Sequence, residues 1–183
     1  MAQPALAPVR PSGTRHPSPA RPDVPPVEVV GHAPRSGTEF LLDGEALDAT
    51  TLALAAARAD VVRIVHSAAL PTVAAVRALV GVVEDEIRAV GRDRRDVRLV
   101  LEVEAVAAAD DADAVRRRSA VAHAEAFAAL TWSPSSTWLV APAGRLPADA
   151  GALAARTGVD TVALALVGDS RRHAAALTGA GAR

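Results

Sequence analysis

Cysteine, tyrosine and lysine are all absent from this chain of 183 residues, and two Trp and two Phe are its only aromatic side chains. Without cysteine there can be no disulfide, no thiolate nucleophile and no cysteine metal site, a composition compatible with a reducing compartment. With so few rings, the half of the sequence that is hydrophobic must build its core from Ala, Val and Leu, so close helix contacts through small residues are expected. The basic residues are all Arg, and the net charge of −1 leaves no basic surface for nucleic acid or an acidic membrane. No stretch approaches the ~20 apolar residues of a membrane span. Prolines occupy the N-terminal region where a signal peptide would need its apolar segment. A cytoplasmic protein is expected.

What the sequence does have is alternation. Residues 1–26 hold eight of the thirteen prolines, a composition that neither continues a helix nor pairs in a sheet, so this stretch predicts a disordered leader. Residues 27–183 then predict one α/β domain. Val27–Val30 and Thr38–Asp43 are short candidate strands, and Asp48 can cap a helix running to Ala59. Val61–Val65 is an apolar run broken only by Arg63, the pattern of a strand covered on both faces. Pro71 predicts the first turn of the next helix, in which Val73, Val76, Val80, Val83 and Ile87 fall on one face. Gly91 supplies its stop, Arg92–Asp96 a polar corner, and Val97–Val106 the next strand. Along that strand Leu99, Leu101, Val103 and Ala105 share one face, and Arg98, Val100, Glu102 and Glu104 the other. Asp110, Asp111 and Asp113 favour a helix start, with that helix running to about Leu130. A Ser/Pro loop, a strand at Trp138–Ala141, a helix at Ala148–Arg156 stopped by Gly158, and a last strand at Thr161–Val167 complete the pattern. About five mostly parallel strands alternating with helices are expected.

Chemically capable residues are sparse. Arg63, Glu102 and Glu104 lie in strands that should be neighbours; a solvated face is the default for such charges, and burial together would require pairing. His66 follows a strand at the end where α/β active sites lie, which makes it the leading acid/base candidate. His123 and Glu125 are two apart on a helix and cannot form a metal pair. Ser133, Ser135 and Ser136 lack the setting of a nucleophile elbow, and there is no Gly-rich dinucleotide or Walker loop. Trp132 and Trp138 predict packing rather than base stacking. No residue is assigned as catalytic or as a metal ligand.

Four pieces of the chain carry a resemblance in order. Leu54-Ala-Ala-Ala-Arg-Ala-Asp-Val-Val62 resembles a helix-to-strand passage of the bacterial luciferase-like, flavin-dependent monooxygenases. Glu86-Ile-Arg-Ala-Val-Gly-Arg-Asp-Arg-Arg-Asp-Val-Arg-Leu-Val100 is similar to that family's Ala-Gly-Arg-Asp corner, and the helix start at Asp110 looks like its following element. Leu153-Ala-Ala-Arg-Thr-Gly-Val-Asp-Thr-Val162 resembles its closing helix and strand. The likeness covers about residues 38–168 and matches the later half of the family's TIM barrel; a full barrel needs about 250 residues.

The resemblance implies a partial, half TIM-type barrel, and FMN or a deazaflavin as cofactor. The loop that would hold the flavin phosphate at a helix N-terminus corresponds to Gly44 through Thr51, with Gly44, Thr50 and Thr51 as the implied binding residues. Glu45 and Asp48 put carboxylates where a dianion would sit, so weakened or lost flavin binding is expected. Val140–Gly144 also departs from the family's turn. Two readings follow: a truncated luciferase-like oxidoreductase that is not catalytically complete alone, or a non-enzymatic module that pairs through an open sheet face. Its partner would be a second copy or a complementary barrel fragment.

Overall fold

The computed structural model describes residues 27–32, 37–44, 47–128 and 134–180. The Pro-rich stretch 1–26, Glu45, Trp132, Ser133 and the end of the third helix at Leu130 lie outside them. The described chain forms β1 (Val27–Val29), β2 (Glu39–Leu42), α1 (Ala49–Arg58), β3 (Val61–Val65), α2 (Val73–Ala89), β4 (Arg98–Ala108), α3 (Asp111–Ala128), α4 (Pro134–Thr137), β5 (Leu139–Pro142), α5 (Leu146–Thr157), β6 (Thr161–Leu166) and α6 (Ala174–Ala180). Short 3-10 turns at Arg94–Asp96 and Gly168–His173 precede β4 and α6.

Every strand pair is parallel. The sheet runs β1-β6-β4-β3-β2, with β5 set against β4 off this path. It is an open sheet of strands alternating with helices, as expected of a partial TIM-type barrel. Six strands form rather than about five, because Val27–Val29 docks on Val162–Leu164 of β6.

β4 organises the sheet. Its residues 98–102 pair with β3, residues 100–105 with β6, and residues 105–108 with β5. The Glu102 carbonyl accepts from His66 after β3, and the Ala108 carbonyl from Ala143 after β5. Carbonyls six residues apart in a strand point to the same edge, so β3 and β5 meet end to end along one side of β4. An eleven-residue strand offers room for both.

One face of the sheet carries the main core. Val62, Ile64, Leu99, Leu101, Val103, Val162 and Leu164 are buried there against Val76, Val80, Val83 and Ile87 of α2 and Leu146, Ala150 and Leu153 of α5. Each fully buried Leu, Ile or Val contributes about 1.5–3 kcal/mol, and the expected small-residue contacts are present: α1 presents Ala55 and Ala56, both fully buried, beside Leu52. Asp48 caps α1 by accepting from the Thr50 and Thr51 amides. For α2 the cap is Thr72, which accepts from the Ala75 amide, and the helix begins at Val73. Pro71 thus stands just before the cap, near the first turn as expected, and the Thr72 hydroxyl satisfies an amide that would otherwise be orphaned.

The corner after α2 is pinned by charge. Gly91 takes φ +74°, the left-handed conformation that suits a helix stop. Arg94 then bonds Glu84 at 3.0 Å, the Val97 carbonyl at 2.7 Å and Asp160 at 3.0 Å. Asp160 also accepts from the Leu99 amide at 2.7 Å. Gly158, at φ +82°, closes α5 just before it, so the starts of β4 and β6 are locked in register. At their far ends the buried Ser170 hydroxyl accepts from the Ala107 amide at 2.9 Å and holds the second 3-10 turn over β4.

α3 follows the expected acidic start, with the Asp113 amide bonding Asp110. It rests lightly on the sheet: Ala114 is its one buried residue among those whose burial is described. No described helix is long and apolar enough to cross a membrane.

Candidate functional site

The opposite face of the sheet has its own small apolar floor, formed by Val61, Val100 and Ala163 with Val30 against them. Around that floor lies a charged layer. Arg63 of β3 bonds Glu39 of β2 at 2.5 Å, Glu28 of β1 at 3.1 Å and Glu102 of β4 at 3.5 Å. Arg98 of β4 reaches Glu28 at 3.5 Å. β1 and β3 are three places apart in the sheet, about 14 Å if it were flat, so the Glu28–Arg63 contact requires the sheet to curl. The side chain of Glu28 is 5% exposed and that of Arg63 12%. The face for which solvation is the sequence default is thus largely closed by its own ion pairs.

Pairing is what makes this burial tolerable, since an unpaired buried charge would be strongly destabilising. Burial alone would weaken the protonation of Arg63, but the hydrogen bond and charge of Glu39, followed by Glu28, outweigh it. Glu102 is pushed up from the usual carboxylate range, first by burial and then by Glu39, Glu28 and Glu104, with Arg63 opposing. A curved layer holding four carboxylates around two guanidinium groups retains more acid than it can neutralise.

At the carboxyl ends of the strands this layer opens into a cavity of about 360 Å³. Its polar lining is His66 and Ser67 after β3, and Glu102 and Glu104 of β4, while Val65 and Ala165 give apolar walls. A neighbouring cavity of about 410 Å³ shares Glu104 and Ala165 and extends past His32 and Arg171. His32 sits in the turn after β1, exposed and within 3.3 Å of the Val30 carbonyl.

His66 lies where β3 and β5 meet end to end. It is 8% exposed, and neither ring nitrogen has a hydrogen-bond partner. Burial lowers its pKa, opposed by an approach to the backbone of Thr137. The hydroxyls of Ser67 and Thr137 and the indole nitrogen of Trp138 are likewise buried without a partner. Buried polar atoms are ordinarily paired, which singles out this junction.

The implied phosphate residues are placed differently. Gly44 sits in an exposed bend after β2. The amides of Thr50 and Thr51 donate to Asp48 at 2.9 and 3.0 Å, and the Thr51 hydroxyl to the same carboxylate at 2.6 Å. These bonds hold the Asp48 carboxyl below the usual range, the Thr51 hydroxyl contributing most. Asp48 occupies the helix end that a phosphate would use, so these groups do not fit a dianion. Among the described residues no group of three or more His, Asp or Glu side chains could hold a metal ion. His123, on α3, instead packs its ring 4.6 Å from that of Phe127.

No protein-family model matches the chain, and no curated protein matches it in sequence. Solved structures do. EDTA monooxygenase (EmoA) from Chelativorans sp. BNC1 superposes with a TM-score of 0.54 at 9% identity, over 76% of this chain and 43% of that one. Long-chain alkane monooxygenase (LadA) gives 0.51 at 10%, over 72% and 38%. Coenzyme F420 dependent tetrahydromethanopterin reductase from Methanopyrus kandleri gives 0.51 at 12%, over 78% and 48%. What these proteins share with the chain is the α/β fold. This chain spans less than half the length of those proteins, and at such identities the likeness is one of fold alone.

Sequence reasoning placed Arg98, Glu102 and Glu104 on one face of a strand and Arg63 in a neighbouring strand, but missed Glu28 and Glu39, which pair with Arg63. A signal was available: Glu28 interrupts Val-Glu-Val as Arg63 interrupts Val-Val-Arg-Ile-Val, and a single charge inside an apolar strand calls for an opposite charge on the same face.

Proposed function

We propose that this chain is a luciferase-like half-barrel descended from a flavin-dependent oxidoreductase and not competent for flavin chemistry by itself. The observation that supports this reading most is the Asp48 carboxylate bonded to the Thr50 and Thr51 amides. An anion already fixed at that helix end repels a flavin phosphate and consumes the donors that would bind it. We read the curved sheet with an acidic cavity at its rim as a binding surface rather than a redox centre.

Titration of FMN and of a deazaflavin, followed by flavin fluorescence, tests this. No saturable quenching is expected for the native chain. Stoichiometric binding accompanied by NAD(P)H-dependent oxygen consumption would overturn the reading.

A second reading, an assembly module, draws on β2. Among the described residues this strand pairs only with β3, and Leu41 on it is 50% exposed. An uncovered strand edge is a template for pairing with another chain. Sedimentation at increasing concentration should then show a dimer, and a monomer at every concentration would refute it.

A further inference from the structure

We infer that β1 and the turn after it form a strap across the inner face of the sheet, fastened by a clasp of Glu28 on Arg63 and Arg98, and that release of the strap uncovers the floor of Val61, Val100 and Ala163. The inference concerns how the sheet closes and stands whether or not the chain binds flavin.

β1 and β2 are the end strands of the path β1-β6-β4-β3-β2, four places apart and about 19 Å across a flat sheet. One guanidinium nonetheless holds both. Arg63 donates through Nη2 to Glu28 of β1 at 3.1 Å and through Nε to Glu39 of β2 at 2.5 Å. Arg98 brings its Nη1 to 3.5 Å from the second oxygen of Glu28, so each oxygen of that carboxylate faces a different arginine, one from β3 and one from β4. Among the described residues no strand pairing joins the two edges; charge draws them together, and the two carboxylates held by one cation would repel each other without it.

Away from the clasp the hold on β1 is short. The strand pairs on one side, over Val27–Val29 against Val162–Leu164, with one further bond from the Val30 amide to the Leu164 carbonyl at 3.1 Å. Val29 is sunk in the main core, Val30 rests on the inner floor, and α5 and α6 touch the strand from outside. The turn that follows closes on itself, the His32 amide donating to the Val29 carbonyl at 3.0 Å with Gly31 at φ +81°. β4, by contrast, is paired to three strands along its eleven residues. Short edge elements open at a lower free energy than the strands at the centre of a core.

Opening has a defined result. Val29, Val30 and His32 wall the cavity of about 410 Å³, which shares Glu104 and Ala165 with the cavity of about 360 Å³. Lifting that wall joins the two into one trough and exposes Ala163, which is 0% exposed and stands in register with Glu28 when the strap is closed.

The chain has no cysteine, so Ala163→Cys supplies a single thiol on the floor, and its rate of reaction with dithionitrobenzoate reads the opening. Labelling without denaturant is expected, with little response to low urea, because a local opening exposes little surface. Glu28→Gln in this background keeps the side-chain shape, weakens the charge-assisted bonds and should speed labelling about tenfold or more. Val83→Ala, in the core face of α2, destabilises the fold as a whole and should leave labelling unchanged. If Ala163→Cys does not fold, hydrogen exchange of the amides of residues 27–32 gives the same reading: they should exchange faster than those of β4, be accelerated by Glu28→Gln and be indifferent to Val83→Ala. Labelling or exchange only where urea unfolds the chain, an unchanged rate in folded Glu28→Gln, or equal acceleration by Val83→Ala would each overturn the inference.

Discussion

Replacing Arg63 by Met tests whether the charged layer is a structural element or a decorated surface. Methionine keeps much of the stem's volume and removes the charge that contacts Glu28, Glu39 and Glu102 at 3.1, 2.5 and 3.5 Å. Breaking a buried pair by removing one partner costs about 3–5 kcal/mol, because the other partner stays buried and uncompensated. Here the Glu28 side chain is 5% exposed, but those of Glu39 and Glu102 are 27% and 26% exposed, so solvent relieves part of the loss. Arg98 also remains beside Glu28. The lower end, about 3 kcal/mol, is expected, equivalent to a Tm drop of roughly 6–12 °C for a domain of this size.

The loss should depend on pH. In the variant Glu102, whose carboxyl burial already pushes up, loses the Arg63 charge that opposes that shift, so the folded state binds a proton more readily than the unfolded one. Stability then increases as pH falls from neutral toward the unfolded carboxylate value of about 4.3, and the gap to the native protein narrows. Urea denaturation of both proteins at pH 7 and pH 5 measures this without the screening that guanidinium would introduce. A loss below about 1 kcal/mol, typical of exposed pairs, that is the same at both pH values would refute the reasoning.

Two further outcomes follow from the junction and from the helix stop. The lowered pKa of His66 means that the unfolded state binds a proton first as pH falls below its ordinary value of 6.5, so stability should decline from there downward; Glu102, with its raised pKa, gives the opposite slope only nearer its own range, and thermal melts of His66→Asn between pH 7.5 and 5.5 should have lost the histidine-dependent decline. Gly158→Ala should cost about 1–2 kcal/mol by denaturant titration, since φ there is +82° and a side chain in the left-handed region is strained; an unchanged midpoint would mean that the turn can relax.

The strands were legible wherever local chemistry decides. Val61–Val65 matches its predicted limits, and Asp48, Gly91 and Gly158 cap or stop helices as their residue types imply. These signals act within a few residues. Two features were not legible because they depend on curvature. The first is the closure of the inner face, which needs Glu28 and Arg63, far apart in the chain and three places apart in the sheet, to meet at 3.1 Å. The second is the end-to-end placement of β3 and β5 on β4, which leaves His66 beside the residues preceding β5. Periodicity assigns a residue to a face, but not how far that face bends. The short helix α4 fell within an expected Ser/Pro loop because a single turn has too little period to read.

The Asp48 cap has a consequence in terms of mass action. A loop ordered by a bound phosphate is stable only in proportion to ligand concentration, and an apo form pays for every unsatisfied amide at the helix end. Here the anion is covalently part of the chain, and the Thr50 and Thr51 amides are satisfied at any dilution. The start of α1 therefore needs no bound anion to be capped, and melting should be indifferent to added phosphate or flavin.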